Sequence, residues 1–152
     1  MEIERKFLVK QIPINLDQYK RKEMKQAYIA SDPVLRLRCS DSKYSFTFKN
    51  GSGLVRQEFE SPLTQAQFEK LWSLVSGNEI LKTRYFIPLA DGLTAEFDVY
   101  AGHLKGLHTV EVEFSSIEQA ETFVPPEWFG ADVTHDMRYT NSSLSKNLPL
   151  GI

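Results

Sequence analysis

Lys43-Tyr44-Ser45-Phe46-Thr47-Phe48-Lys49 alternates polar and apolar side chains without a break. A period of two is the pattern of a β-strand that buries one face only. The pattern repeats on both sides of this stretch. Upstream, Arg36 and Arg38 alternate with Leu35, Leu37 and Cys39, and Glu2, Glu4 and Lys6 with Ile3, Arg5 and Phe7. Downstream, Arg56, Glu58 and Glu60 alternate with Val55, Gln57 and Phe59, and Lys82 and Arg84 lie between Leu81, Thr83 and Tyr85. Glu96 and Asp98 face away from Ala95, Phe97 and Val99, and Glu111 and Glu113 from Val110, Val112 and Phe114. With a further strand at residues 25–30, the chain reads as about eight strands. Two helices interrupt them. Thr64 and Gln67 form a capping box ahead of a Phe68, Leu71, Trp72, Val75 stripe that Gly77 ends, and a shorter helix lies near residues 116–124, before Pro125-Pro126. The tail from Asn141 to Leu148 has the pattern of one more short helix.

The 152 residues suit a single domain spanning 1–152, and the net charge of −2 excludes a strongly basic nucleic-acid binder. The run Lys20-Arg21-Lys22 with Lys25, interrupted by Glu23, reads as a solvated turn. One cysteine, Cys39, excludes an internal disulfide framework and reads as a buried thiol. His103 and His108 read as loop residues, and His135 as no ligand. No apolar run approaches the roughly 18 residues of a membrane span. The charged start Glu2-Ile3-Glu4-Arg5-Lys6 is unlike a signal peptide, so a cytoplasmic protein with no membrane or nucleic-acid partner is expected. The charge is uneven along the chain: 13 Lys/Arg against 9 Asp/Glu in residues 1–76, and 5 against 11 in residues 77–152.

The sign of charge within each strand is more telling. Arg36/Arg38 and Lys82/Arg84 are pairs of like sign, as are Glu2/Glu4, Glu58/Glu60, Glu96/Asp98 and Glu111/Glu113. Residues two apart on a strand are roughly 7 Å apart, so each pair repels unless a counter-charge lies between. A polyanion answers the basic pairs and a divalent cation the carboxylates. If the strands close into a barrel, the charged face points inward, toward an interior that holds one small ligand, and the apolar face points out beneath the helices. The fold class expected is α+β: an eight-stranded antiparallel β-barrel with helices packed outside.

The ordered series Glu2-Ile3-Glu4-Arg5-Lys6, Arg36-x-Arg38, Lys49, Arg56-Gln57-Glu58-Phe59-Glu60, Lys82-Thr83-Arg84, Glu96-x-Asp98, Glu111-Val112-Glu113 and Arg138-Tyr139 resembles the CYTH domain, the triphosphate tunnel metalloenzymes. The compact length and the ending around Trp128-Phe129-Gly130 and Asp136-x-Arg138-Tyr139 most resemble its short bacterial members, which hydrolyse inorganic tripolyphosphate. The resemblance implies a small-molecule triphosphate substrate and Mg²⁺ or Mn²⁺ as cofactor. It implies phosphate binding by Lys6, Arg36, Arg38, Lys49, Arg56, Lys82, Arg84 and Arg138, and metal binding by Glu2, Glu4, Glu111, Glu113, Asp98 and Glu96. Lys6, Lys82 and Glu4 would be catalytic, with Glu58, Glu60 and Tyr28 in support. The tail helix would be a C-terminal plug that brings Lys146 near the phosphates. Catalysis would be charge stabilisation and positioning of a water, with no covalent nucleophile. A homodimer is compatible with this reading. The alternatives on the same scaffold are a class IV-type adenylate cyclase, a thiamine triphosphatase, and a non-catalytic polyphosphate-binding module.

Overall fold

Why the alternating segments enclose a space rather than spread as an open sheet is settled by how the first strand pairs. A computed structural model describes residues 1–51 and 53–146. The strands are β1 (Glu2–Val9), β2 (Lys20–Ser31), β3 (Val34–Ser40), β4 (Lys43–Asn50), β5 (Val55–Leu63), β6 (Ser76–Pro88), β7 (Thr94–Ala101), β8 (His108–Glu113) and β9 (Phe129–Asp132). They form one sheet in the order β5-β4-β3-β2-β6-β7-β8-β1-β9, and β5 pairs back onto β1. β1 to β8 therefore close into the expected antiparallel barrel. The closing seam is short: Glu2 faces Arg56 and Ile3 faces Val55. Farther along the same edge of β1, β9 takes over, with Phe7 opposite Asp132 and Val9 opposite Phe129. β9 is the strand the alternation did not reveal, because four residues containing Gly130 are too few to show a period.

Three short helices sit outside the strands: α1 (Gln65–Trp72), α2 (Ile117–Thr122) and α3 (Asn141–Leu144). α1 begins at the expected capping box, with the Gln67 amide donating to Thr64 Oγ1 and the Thr64 amide to Gln67 Oε1. It ends at Trp72, earlier than expected, and Gly77 belongs to β6. Gly77 has φ of 74°, and a Cβ there would lie 3.1 Å from the Ser145 carbonyl oxygen. Next to it the Asn78 amide donates to that same oxygen at 2.7 Å. The glycine thus serves the crossing of the tail over β6. α2 starts at Ser116, whose Oγ accepts from the Gln119 amide, and stops ahead of Pro125-Pro126. α3 is a single turn; Asn147 and Leu148, the end of the predicted tail helix, lie outside the described residues.

The segment 20–25 is strand rather than turn: Lys20 pairs with Phe86 and Lys22 with Arg84. Its charges hid it, since an exposed strand end carries no apolar face. Cys39 is half-buried, and its Sγ lies 3.2 Å from the Asp41 carbonyl oxygen. His108 opens β8 and stacks on Phe97 at 5.9 Å, so of the two histidines only His103 lies outside the strands.

The apolar face of the strands points outward, as the alternation requires. Phe7, Phe97, Val110 and Val112 are buried on that face beneath Ala120, Phe129 and the partly buried Phe123 and Trp128. At ~1.5–3 kcal/mol per fully buried large side chain, this outer layer is the main hydrophobic contribution to the fold. A second cluster of Tyr28, Ile80, Tyr100, Leu104, Val133, Tyr139 and Leu144 seats the tail against one end of the barrel. No helix among the described residues is long and apolar enough to cross a membrane.

Candidate active site in the barrel interior

The faces left over by that packing are the charged ones, and they line a cavity of about 680 Å³. Strand order distributes them unevenly. β4, β3, β2 and β6 are consecutive neighbours, and they point Lys49, Arg36, Arg38, Lys82 and Arg84 inward with no carboxylate among the cavity-lining residues of those four strands. β7, β8, β1 and β5 complete the circle and bring Glu96, Asp98, Glu111, Glu113, Glu2, Glu4, Glu58 and Glu60. The interior has a basic arc and an acidic arc, with Lys6 and Arg56 as the cations on the acidic side.

The acidic arc is self-repelling. Glu4 faces Glu113 across β1–β8, and Glu96 faces Glu111 across β7–β8. Directly opposed like charges on a sheet are destabilising. Burial, then Glu111 and Glu2, push the Glu4 carboxyl well above the ordinary range, and Glu4 shares a hydrogen bond with Glu111. Burial alone would raise Glu111 too, but Lys6, Arg84 and Lys82 hold it well below the ordinary range. Burial and the neighbouring Glu2 raise Glu58, which shares a hydrogen bond with Glu2. Burial also raises Glu96. Carboxylates crowded together in this way make a site that a hard divalent cation can stabilise, and every donor here is oxygen. The donor set fits Mg²⁺ or Mn²⁺, although no three carboxylate or histidine side chains among the described residues are already gathered into a metal centre.

The basic arc is short of partners. The Nε atoms of Arg36 and Arg56 are buried and without a hydrogen-bond acceptor among the described residues. Arg36 spends one terminal nitrogen on Thr47 Oγ1 at 3.1 Å, with Glu60 at 3.8 Å. Burial, with Arg36 and Arg84 nearby, presses Arg38 down to about 9, still protonated at neutral pH. Lys6 Nζ donates to the Tyr139 carbonyl at 2.6 Å, and burial lowers it despite Glu111 and Glu4. Lys49 Nζ lies 3.1 Å from Glu2. A wall of donors with unmet capacity is built for an anion with many acceptor oxygens.

Three predicted residues sit elsewhere than expected. Lys82 and Asp98 are both fully shielded from solvent, 2.7 Å apart, and neither lines the cavity. Asp98 also accepts from Arg84 Nε at 2.8 Å and from a terminal nitrogen at 2.9 Å, so its oxygens are occupied by cations. Both stay on the inner faces of their strands beside Arg84, but in a part of the interior closed to solvent and apart from the cavity. Arg138 follows the tail outward: its side chain is 60% exposed and clamps Asp136 at 2.6 Å, and it does not line the cavity. Glu2, Glu4, Lys6, Tyr28, Arg36, Arg38, Lys49, Arg56, Glu58, Glu60, Arg84, Glu96, Glu111 and Glu113 do come together around it, as does Lys146 from the tail. Sequence reasoning missed Gln26, wholly buried between Arg38 and Tyr28, and the polar rim of Thr134, Asp136 and Thr140–Ser143. An uncharged amide on a strand has no sign to sort, so nothing in the sequence marked it.

Comparison with known proteins gives consistent matches. Residues 1–131 match the CYTH domain family. The chain is 44% identical over 151 residues to an inorganic triphosphatase of Nitrosomonas europaea, covering 97% of this chain and 99% of that protein. An inorganic triphosphatase of Acetivibrio thermocellus is 32% identical over 154 residues, with 96% and 94% covered. A crystal structure of an inorganic triphosphatase superposes with a TM-score of 0.72 at 42% identity, covering 98% of this chain and 97% of that one.

Proposed function

The chain belongs to the CYTH domain family, and on that premise we propose that it is a divalent-metal-dependent triphosphatase that hydrolyses inorganic tripolyphosphate inside its barrel. The observation that carries this is the division of one closed interior into a basic and an acidic arc, with arginine Nε donors unpartnered on the wall. A linear triphosphate is a small, flexible polyanion whose oxygens match those donors.

In this reading Arg36, Arg38, Lys49, Arg56 and Arg84 hold phosphate oxygens. The arginines bind in forked fashion and Lys49 as a point charge. Lys6, from the acidic side, neutralises charge that builds on the leaving phosphate. Glu2, Glu4, Glu111, Glu113 and Glu96 are the carboxylates placed to hold Mg²⁺ or Mn²⁺. When bound there, such a cation would supply neutralisation of phosphate charge and a more acidic water. Glu58 and Glu60 fix the basic groups, and Glu60 does so through Thr47 and Arg36. Asp98 accepts two hydrogen bonds from Arg84 and sets the direction of its fork, while Lys82 pairs with Asp98. In this reading residues 133–146, beyond the family match, work as one unit with the barrel, since they line one rim of the cavity. Catalysis rests on placing the triphosphate and stabilising charge, with water as nucleophile.

The test is phosphate release from tripolyphosphate, pyrophosphate, ATP and thiamine triphosphate with Mg²⁺ or Mn²⁺. Tripolyphosphate is expected to be the best substrate, and chelation is expected to stop turnover. Cyclic AMP production from ATP would replace this reading with a cyclase. Binding of tripolyphosphate without release would replace it with a polyphosphate-binding module.

A further inference from the structure

Gln26 lies on β2 with no exposed surface, directly across from Arg38 on β3 and two residues before Tyr28. A primary amide taken wholly out of water is costly unless both its ends are bonded. Here both are: Oε1 accepts from Arg38 Nε at 2.9 Å, and Nε2 lies 2.9 Å from the Tyr28 hydroxyl. The polarity of this chain is forced. Arg38 Nε carries a hydrogen and cannot accept, so the amide must turn its oxygen toward Arg38. Its NH₂ then faces Tyr28, whose hydroxyl oxygen must accept. With the phenol oxygen accepting, the phenol's own hydrogen points elsewhere, and Tyr28 lines the cavity. Among the described residues the Tyr28 hydroxyl has no other partner, and neither terminal nitrogen of Arg38 has one.

We infer that Gln26 is a positioning residue: it anchors Arg38 by Nε so that the guanidinium's terminal nitrogens face the cavity, and it turns the Tyr28 hydroxyl into a donor toward the substrate's phosphate oxygens. This rests on the triphosphatase reading for its ligand. One neutral amide thereby aligns two donors on neighbouring strands. A glutamate at this position would accept from both partners and draw the Tyr28 hydrogen away from the cavity, which accounts for an amide in a place surrounded by charge.

The experiment has an arm that needs no turnover. In ¹⁵N-labelled protein without substrate, the Gln26 side-chain amide protons are followed by NMR. Tyr28→Phe is expected to shift one of them upfield, since it loses its acceptor. In the second arm, Gln26→Leu, Tyr28→Phe and the double variant are compared for tripolyphosphate KM and kcat. Each single change is expected to raise KM by about tenfold, the size of one lost hydrogen bond to a charged group. Tyr28→Phe should cost less than about threefold once Gln26 is leucine, because the hydroxyl is no longer aimed. A purely structural Gln26 would lower the melting temperature and leave these costs multiplicative, which overturns the assignment. An amide signal indifferent to Tyr28→Phe overturns it as well, whatever the activity. Absence of phosphate release with the amide shift intact overturns the triphosphatase reading alone, and the cycle is then read on tripolyphosphate binding by calorimetry.

Discussion

Lys82 illustrates how a side chain can share the inner strand face with a cavity-lining neighbour and still lie outside the cavity. Its ammonium is 2.7 Å from Asp98, which favours the charged form, but burial works against it and Arg84 and Arg38 add like charge. Burial dominates, and the group is lowered to about 7 from 10.5. Between those two values the unfolded chain holds a proton that the folded chain has released, so stability rises with pH across that window. Lys82→Met removes the titrating group and leaves Asp98 satisfied by the two hydrogen bonds from Arg84. Thermal melts from pH 7 to pH 10 are therefore expected to climb less in the variant than in the parent. Parallel curves would show that the ion pair outweighs burial. Because Lys82 does not line the cavity, the variant's KM for tripolyphosphate at pH 7 is expected to stay near the parent's. A direct phosphate ligand would behave otherwise.

At the scale of elements, the short β1–β5 seam makes the fold depend on what holds β9 and α2 against β1. Arg5 does this from the apolar face. It pairs with Asp132 of β9 at 2.9 Å and donates to the carbonyls of Ala120 and Phe123 at 2.9 and 3.2 Å. Its guanidinium carbon lies 5.0 Å from the Phe7 ring centroid. Arg5→Ala is expected to lower unfolding free energy by about 2–3 kcal/mol, from lost packing and two part-buried carbonyl acceptors left unpaired. Urea denaturation measures it, and a loss below about 0.5 kcal/mol would mean that water replaces the arginine. Activity under native conditions is expected to be unchanged. Arg5 also marks where the sequence is legible. The strict alternation of β4, and of the charged strands around it, exposed both the faces and the barrel. It placed Arg5 on the outer face but could not say what that face touched. β9 was invisible because four residues carry no period, and the start of β2 because its charges are exposed. Gly77 looked like a helix stop because its real constraint, the Ser145 carbonyl, comes from a distant tail. The same limit applies inside. Charged strand faces pointed to most of the charged cavity-lining residues, whereas the shielded place of Lys82 and Asp98 and the outward turn of Arg138 depend on the three-dimensional path, which a period of two does not encode.

For the whole molecule, the strand order does what the linear sequence does not. Along the chain, positive excess lies in residues 1–76 and negative excess in 77–152. In the barrel, β6 joins β2, β3 and β4 on the basic side, while β1 and β5 join β7 and β8 on the acidic side. The two arcs therefore mix both halves of the chain, and each arc alone is destabilised by its own repulsion. A ligand of opposite sign on either arc should stabilise the native state independently, and ligands on both should favour each other. With excess chelator present, tripolyphosphate at about a hundred times its dissociation constant should add about 2.7 kcal/mol. For a chain of this size that raises the melting temperature by roughly 5–10 °C. Mg²⁺ without polyanion should raise it too, through relief of the Glu4–Glu111 and Glu2–Glu58 pairs. Glu4→Gln should remove most of the Mg²⁺ shift and preserve the shift caused by tripolyphosphate under chelation. Arg36→Gln should do the reverse. If instead either substitution abolishes both shifts together, or tripolyphosphate gives none without metal, the interior acts as one undivided site and the separation into arcs has no energetic meaning.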